Sequence, residues 1–100
     1  MQAASGVEVR AHLKRLYSVV GDDVIAFHPR LVTLTGRITS ALMLGQAIYW
    51  TRRYLRHHPE RDGWFWKTQR EWNVETGLSR KEQETARATL RDLGIIEECR

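Results

Sequence analysis

Apolar positions recur at helical spacing along most of this chain, and short aromatic or β-branched runs interrupt that spacing in two places. Val9, Leu13, Leu16, Tyr17 and Val20 lie close to one stripe, with Arg10, Lys14 and Arg15 on other faces, which predicts a helix over 7–20. Gly21-Asp22-Asp23 breaks it. Val24 to Pro29 reads as a short strand or an extended arm, because the residue before a proline avoids the helical region. Pro29 can start a short helix through Leu34, ended at Gly36. The longest helical pattern runs over 37–56. Ile38, Leu42, Gly45 and Tyr49 fall on one stripe, with Ala41, Leu44, Ile48 and Leu55 beside it. Ala41, Gly45 and Ala47 are small enough to admit another element closely, and Gln46 must hydrogen-bond if it is buried among these neighbours.

His58 to Gly63 is a turn, with Asp62-Gly63 as its strongest signal. Trp64-Phe65-Trp66 then favours a pleated strand, with Trp64 and Trp66 on one side and Phe65 on the other, their rings serving either as core and cover or as exposed platforms for base stacking. Two capping boxes follow. Thr68 with Glu71 starts a helix over 68–76, and Ser79 with Glu82 starts one over 79–93. Gly77 and Gly94 are placed to end them. Trp72 is the core residue of the first helix, and Leu78 anchors the turn. In the second, Gln83, Ala86, Leu90 and Leu93 face inward. Arg80, Glu84, Arg87 and Arg91 lie along the opposite side, with Lys81 and Thr85 adjacent. Ile95 to Glu98 starts a second strand.

One hundred residues suit one domain with an arm, which we divide as an N-terminal helical arm over 1–36 and a main domain over 37–100. The apolar fraction of 42% is ordinary for a globular chain. The formal charge of +4 suits nucleic acid or an acidic protein, but it is unevenly spread. Residues 1–61 hold nine Lys/Arg against four Asp/Glu, net +5. Residues 62–100 hold seven against eight, net −1. The single cysteine, Cys99, permits no intrachain disulfide and fits a reducing cytoplasm. No apolar run approaches the roughly 18 residues that suggest a membrane span, and the first residues lack a signal-peptide core.

Candidate chemistry is sparse. The pair His57-His58, even with Cys99, lacks metal-ligand spacing, and phosphate-cradling and nucleophile-elbow motifs are absent. The chain is therefore read as a non-enzyme that needs no cofactor or metal. Arg52, Arg53 and Arg56 load positive charge at the end of the long helix. They are either end-of-helix electrostatics or a secondary basic patch for phosphates. The outward residues of 79–93 are either a solvated face laced by Arg80–Glu84 and Glu84–Arg87 pairs or a surface that meets phosphates and base edges.

The element order, together with A-L-M-L-G-Q-A-I-Y-W, D-G-W-F-W-K-T, E-T-G-L-S-R-K-E-Q and A-R-A-T-L-R-D-L-G-I-I-E, resembles the winged helix-turn-helix domains of phage and plasmid replication proteins, the replisome-organiser type. The resemblance covers about 41–98. It implies a mostly α fold with a small β-wing, and a double-stranded DNA-binding protein of replication initiation or transcriptional regulation in a bacterial cytoplasm. In such domains the second helix of the turn reads the major groove. Carried over, that role falls on Ser79, Arg80, Lys81, Gln83, Glu84, Arg87 and Arg91, with Thr68, Gln69 and Arg70 at the backbone. One departure matters. Too few residues follow Ile96 for the second strand of a wing, so the wing is expected to be truncated or absent. That keeps open a small mobile-element protein that binds and inhibits a host protein or nucleoprotein complex, and a homodimer through the helix at 7–20.

Overall fold

Local chemistry at the helix ends sets the architecture. The computed structural model describes residue 6 and residues 25–98, and the predicted helix and dimer contact over 7–20 lie outside the described residues. Helix α1 is Pro29–Thr35, with Pro29 in its first turn where a missing N–H costs nothing. Helix α2 is Ile38–His57, and its axis turns through 116° from that of α1. A single 3₁₀ turn, Pro59–Arg61, reverses the chain. Helix α3 is Gln69–Thr76 and helix α4 is Arg80–Asp92.

Both predicted capping boxes are present. Thr68 Oγ1 accepts from the Glu71 amide at 3.0 Å while the Glu71 carboxylate accepts from the Thr68 amide at 3.0 Å. Ser79 Oγ accepts from the Glu82 amide at 3.2 Å, and Glu82 returns the contact at 2.9 Å. Between the two helices Gly77 takes a left-handed φ of 77°, and its N–H reaches Asn73 O at 2.8 Å. A Cβ at that φ is strained, so glycine makes the short turn possible.

The protein is mostly helical. Met43 and Leu44 of α2, Trp72 of α3, Leu78 of the turn and Ala86 and Leu90 of α4 form one buried cluster. Leu31 of α1, Phe65, Ile95 and Ile96 pack against it. Helix α4 lies across α2, and α1 crosses α2 at Gly45. A Cβ at Gly45 would stand 3.4 Å from Ala26 O and 3.6 Å from His28 Cδ2, ordinary contact distances, so the chain ahead of α1 lies about one methyl group away from the backbone of α2.

Four expectations change. Among the described residues there is no strand, so neither Trp64–Trp66 nor Ile95–Glu98 is pleated. A strand exists only by pairing, and these two short pieces find no ladder partner, whatever their composition. Phe65 still turns inward, stacking near Tyr54 and Trp72 with ring centroids 6.2 Å away in each case, but Trp64 and Trp66 remain exposed rather than covering the core. Along α2, Ile38 and Tyr49 are 61% and 51% exposed, and Leu55 is exposed too. Burial follows a different face: Met43 and Ala47 toward α4, Trp50 toward α3 and Tyr54 toward Phe65. Leu93, expected inside, is 51% exposed because α4 ends at Asp92 and Leu93 is already its cap.

Candidate functional site

Helix α4 is held by its inner face. Gln83, Ala86 and Leu90 are buried, which fixes the rotation of the helix and leaves Arg80, Lys81, Glu84 and Arg91 exposed with Arg87 half-buried. This arrangement is built by sequence spacing, since residues three and four apart share a face. Gln69 at the start of α3 joins Arg80, Gln83, Glu84 and Arg87 around a polar cleft of about 330 Å³. Arg70 is exposed beside it.

Gln83 belongs to the frame rather than to the contact surface. It is 1% exposed, and its Nε2 donates to Gln69 O and to Leu78 O, each at 3.0 Å. The side chain thus ties α4 to the start of α3 and to the turn. Leu78 O also accepts from Asn73 Nδ2 at 3.0 Å, so the turn is pinned from both helices. Turning the Gln83 amide over would set its oxygen against two carbonyl oxygens, which fixes its orientation. Thr68 and Ser79, also candidates for a nucleic-acid contact, have hydroxyls engaged in their capping boxes.

The arginines on the outer side of α4 carry carboxylate partners. Arg80 Nε lies 3.2 Å from Glu84 Oε1. Arg87 Nε and Arg91 Nη1 share Glu98, at 3.6 and 3.3 Å. The tail after α4 therefore folds back to neutralise two guanidinium groups, a role for Glu98 that nothing in its local sequence signals. Lys81 has no carboxylate partner among the described residues. Arg52, Arg53 and Arg56 lie in the last two turns of α2, and none of them lines the cleft beside α4.

A second polar centre orients α3. The Glu75 carboxylate accepts from Gln46 Nε2 at 2.6 Å and from Trp50 Nε1 at 2.7 Å, and it pairs with the Lys67 ammonium. The Lys67 side chain is only 4% exposed, and its nitrogen stands 3.9 Å from the Trp50 ring centroid and 5.9 Å from that of Trp72. Burial pushes the Glu75 carboxyl up. The hydrogen bonds from Lys67, Gln46 and Trp50 outweigh it and hold the group below its ordinary 4.5. The Glu71 carboxyl is likewise lowered, by the Thr68 amide and then the Thr68 hydroxyl. Buried Gln46 finds the partner that its neighbours demanded, while Lys67 and Glu75 gave no sequence signal as a pair.

Between α2, the Trp64–Lys67 segment and the Ile95–Glu98 tail runs an open trench of about 580 Å³. Its floor is Met43, Ala47, Trp72 and Leu90, and Arg87 and Glu98 meet at its rim. Among the described residues no group of His, Cys, Asp and Glu could hold a metal ion, and no single helix is long and apolar enough to cross a membrane. No known family profile, curated protein or solved structure matches this chain.

Proposed function

We propose that residues 38–98 form a helix-turn-helix of the winged type, and that the protein binds double-stranded DNA through α4. The observation that carries this reading is the two-sided character of α4. Its inner face is locked by Gln83, Ala86 and Leu90, and its outer face presents Arg80, Lys81, Glu84, Arg87 and Arg91 beside the start of α3. A capped helix with outward cations at its N-terminal end is the geometry that enters a major groove. Arg80 and Arg87 would exchange their carboxylates for phosphates or guanine edges, while Gln69 and Arg70 would touch the backbone. Glu84 would accept from cytosine or hold Arg80 in place. Phage or plasmid replication initiation, or transcriptional regulation, in a bacterial cytoplasm is the setting that suits such a protein.

Duplex titration at two salt concentrations tests the reading. If about three or four phosphates are neutralised, affinity should fall roughly 40- to 150-fold between 50 and 200 mM salt, from a slope of about −0.9 per phosphate. Changing Lys81 to Ala should weaken binding about equally on all sequences, whereas Arg87→Ala should cost about 1–3 kcal/mol if it reads a base. A chain that ignores duplex DNA even at low salt would end this proposal.

The pairing of Arg80, Arg87 and Arg91 with Glu84 and Glu98 favours a second reading. A self-neutralised face suits a protein partner, so the chain would act as a small binder and inhibitor of a host protein or nucleoprotein complex. Retention of a bacterial partner after nuclease treatment, lost in an Arg80→Glu/Arg87→Glu variant, separates this from DNA binding.

A further inference from the structure

The outer face of α2 concentrates positive charge that no carboxylate among the described residues pairs with. The helix has no Asp or Glu in its twenty residues, yet its last two turns carry Arg52, Arg53 and Arg56. None of the three is in an ion pair among the described residues, and Glu60, the nearest acid along the chain, is taken by His58 at 3.5 Å. Arg53 leans over the Trp50 ring, 6.0 Å from its centroid. Arg52 and Arg56 are four apart, hence neighbours on one face. Exposed Ile48, Tyr49 and Leu55 lie on either side of them. At 3.6 residues per turn Arg56 is about half a turn round the axis from Ala47, which faces α4 and the trench. This face therefore points away from the outer face of α4, and both can be occupied together.

The geometry points to a docking site here for an acidic amphipathic helix of a protein partner. Three observations select that occupant. Uncompensated guanidinium groups ask for carboxylates, by charge complementarity. Ile48 and Leu55, seven residues and two turns apart, ask for an apolar ridge of the same spacing, which a phosphate backbone does not offer. Tyr and Arg side by side are the residue types that anchor protein interfaces. A second copy meeting the same face would set Arg52 and Arg56 against their own equivalents, so like charge disfavours it. This inference does not rest on DNA binding by α4.

The probe is a fluorescently labelled synthetic helix of about twenty residues, with leucines at seven-residue and three- or four-residue spacing and flanking glutamates. Anisotropy with the full chain should show binding that weakens with salt. Arg52→Glu/Arg56→Glu should lower affinity at least about tenfold, and Ile48→Ser/Leu55→Ser should do the same. All four positions are exposed, so circular dichroism should stay unchanged. Any one of the following overturns the proposal: undiminished binding in either double variant, equal binding of a peptide with serines for its leucines, or no binding below millimolar. Duplex DNA displacing the peptide, or a homodimer that Arg52→Glu/Arg56→Glu dissolves, overturns it as well.

Discussion

Replacing Glu75 with Ala removes one side chain and strands three others. Lys67, with a 4% exposed side chain, would lie between the rings of Trp50 and Trp72 without its carboxylate partner. Gln46 Nε2 and Trp50 Nε1, now 2.6 and 2.7 Å from the carboxylate, would lose their acceptor. Breaking a buried ion pair by deleting one partner costs about 3–5 kcal/mol. The total stability of a chain this long is about 5–15 kcal/mol, so the loss is a large share of it. Each kcal/mol lowers the melting midpoint by roughly 4–8 °C in a domain of this size, which puts the expected drop at no less than about 12 °C. Urea unfolding followed by tryptophan fluorescence measures the change directly, since Trp50 and Trp72 flank the ion pair. The double replacement Lys67→Met/Glu75→Leu should recover only part of the loss, because it strands no charge but still leaves Gln46 Nε2 and Trp50 Nε1 without their acceptor, at about 1–3 kcal/mol for each donor that stays dry. A Glu75→Ala variant that loses under about 1 kcal/mol, as an exposed pair would, refutes this account. So would a double replacement no better than the single one.

The folded-state Glu75 carboxyl lies below its ordinary 4.5, so its contribution is present above that value and is lost as pH falls through the folded pKa. Thermal melts from pH 7 downward should show the parent declining below pH 4.5, and Glu75→Gln, weaker at neutral pH, declining less steeply. Leu90→Ala should cost about 2–5 kcal/mol, whereas Leu93→Ala, on an exposed cap, should stay within about 0.5 kcal/mol in the same urea assay. Ser79→Ala removes the acceptor for the Glu82 amide and should destabilise by about 0.5–2 kcal/mol, with Ser79→Thr restoring most of it.

What could be read from the chain was local. Thr68 with Glu71 and Ser79 with Glu82 are three apart, and the capping box needs nothing from the rest of the protein. Trp72, Leu78, Ala86 and Leu90 were legible because one short turn fixes which face of each helix is inward. Two kinds of feature were hidden. Gln46, Trp50, Lys67 and Glu75 meet across up to 29 residues, and no spacing rule connects them. Strand formation at Trp64–Trp66 and Ile95–Glu98 depends on a ladder partner, which composition cannot supply. The buried face of α2 was hidden for a third reason. Its N-terminal half is covered on several sides and its C-terminal half on one, so a single stripe could not describe both. In the candidate site, the outward residues of α4 were legible from periodicity. The inward turn of Gln83 was legible in the same way, while its bonds to Gln69 O and Leu78 O and the reach of Glu98 were set by the neighbouring helix and the tail.

The crossing at Gly45 acts as a thickness gauge. A methyl group there would meet Ala26 O at 3.4 Å and Leu31 Cδ1 at 3.9 Å, ordinary contact distances. Alanine is favoured over glycine inside a helix by about 1 kcal/mol. Gly45→Ala should therefore be tolerated and even welcome, while valine or leucine at the same point would lever the stretch ahead of Pro29 off its seat. The permitted size at one position thus decides whether that stretch lies flat on the molecule or stands clear of it.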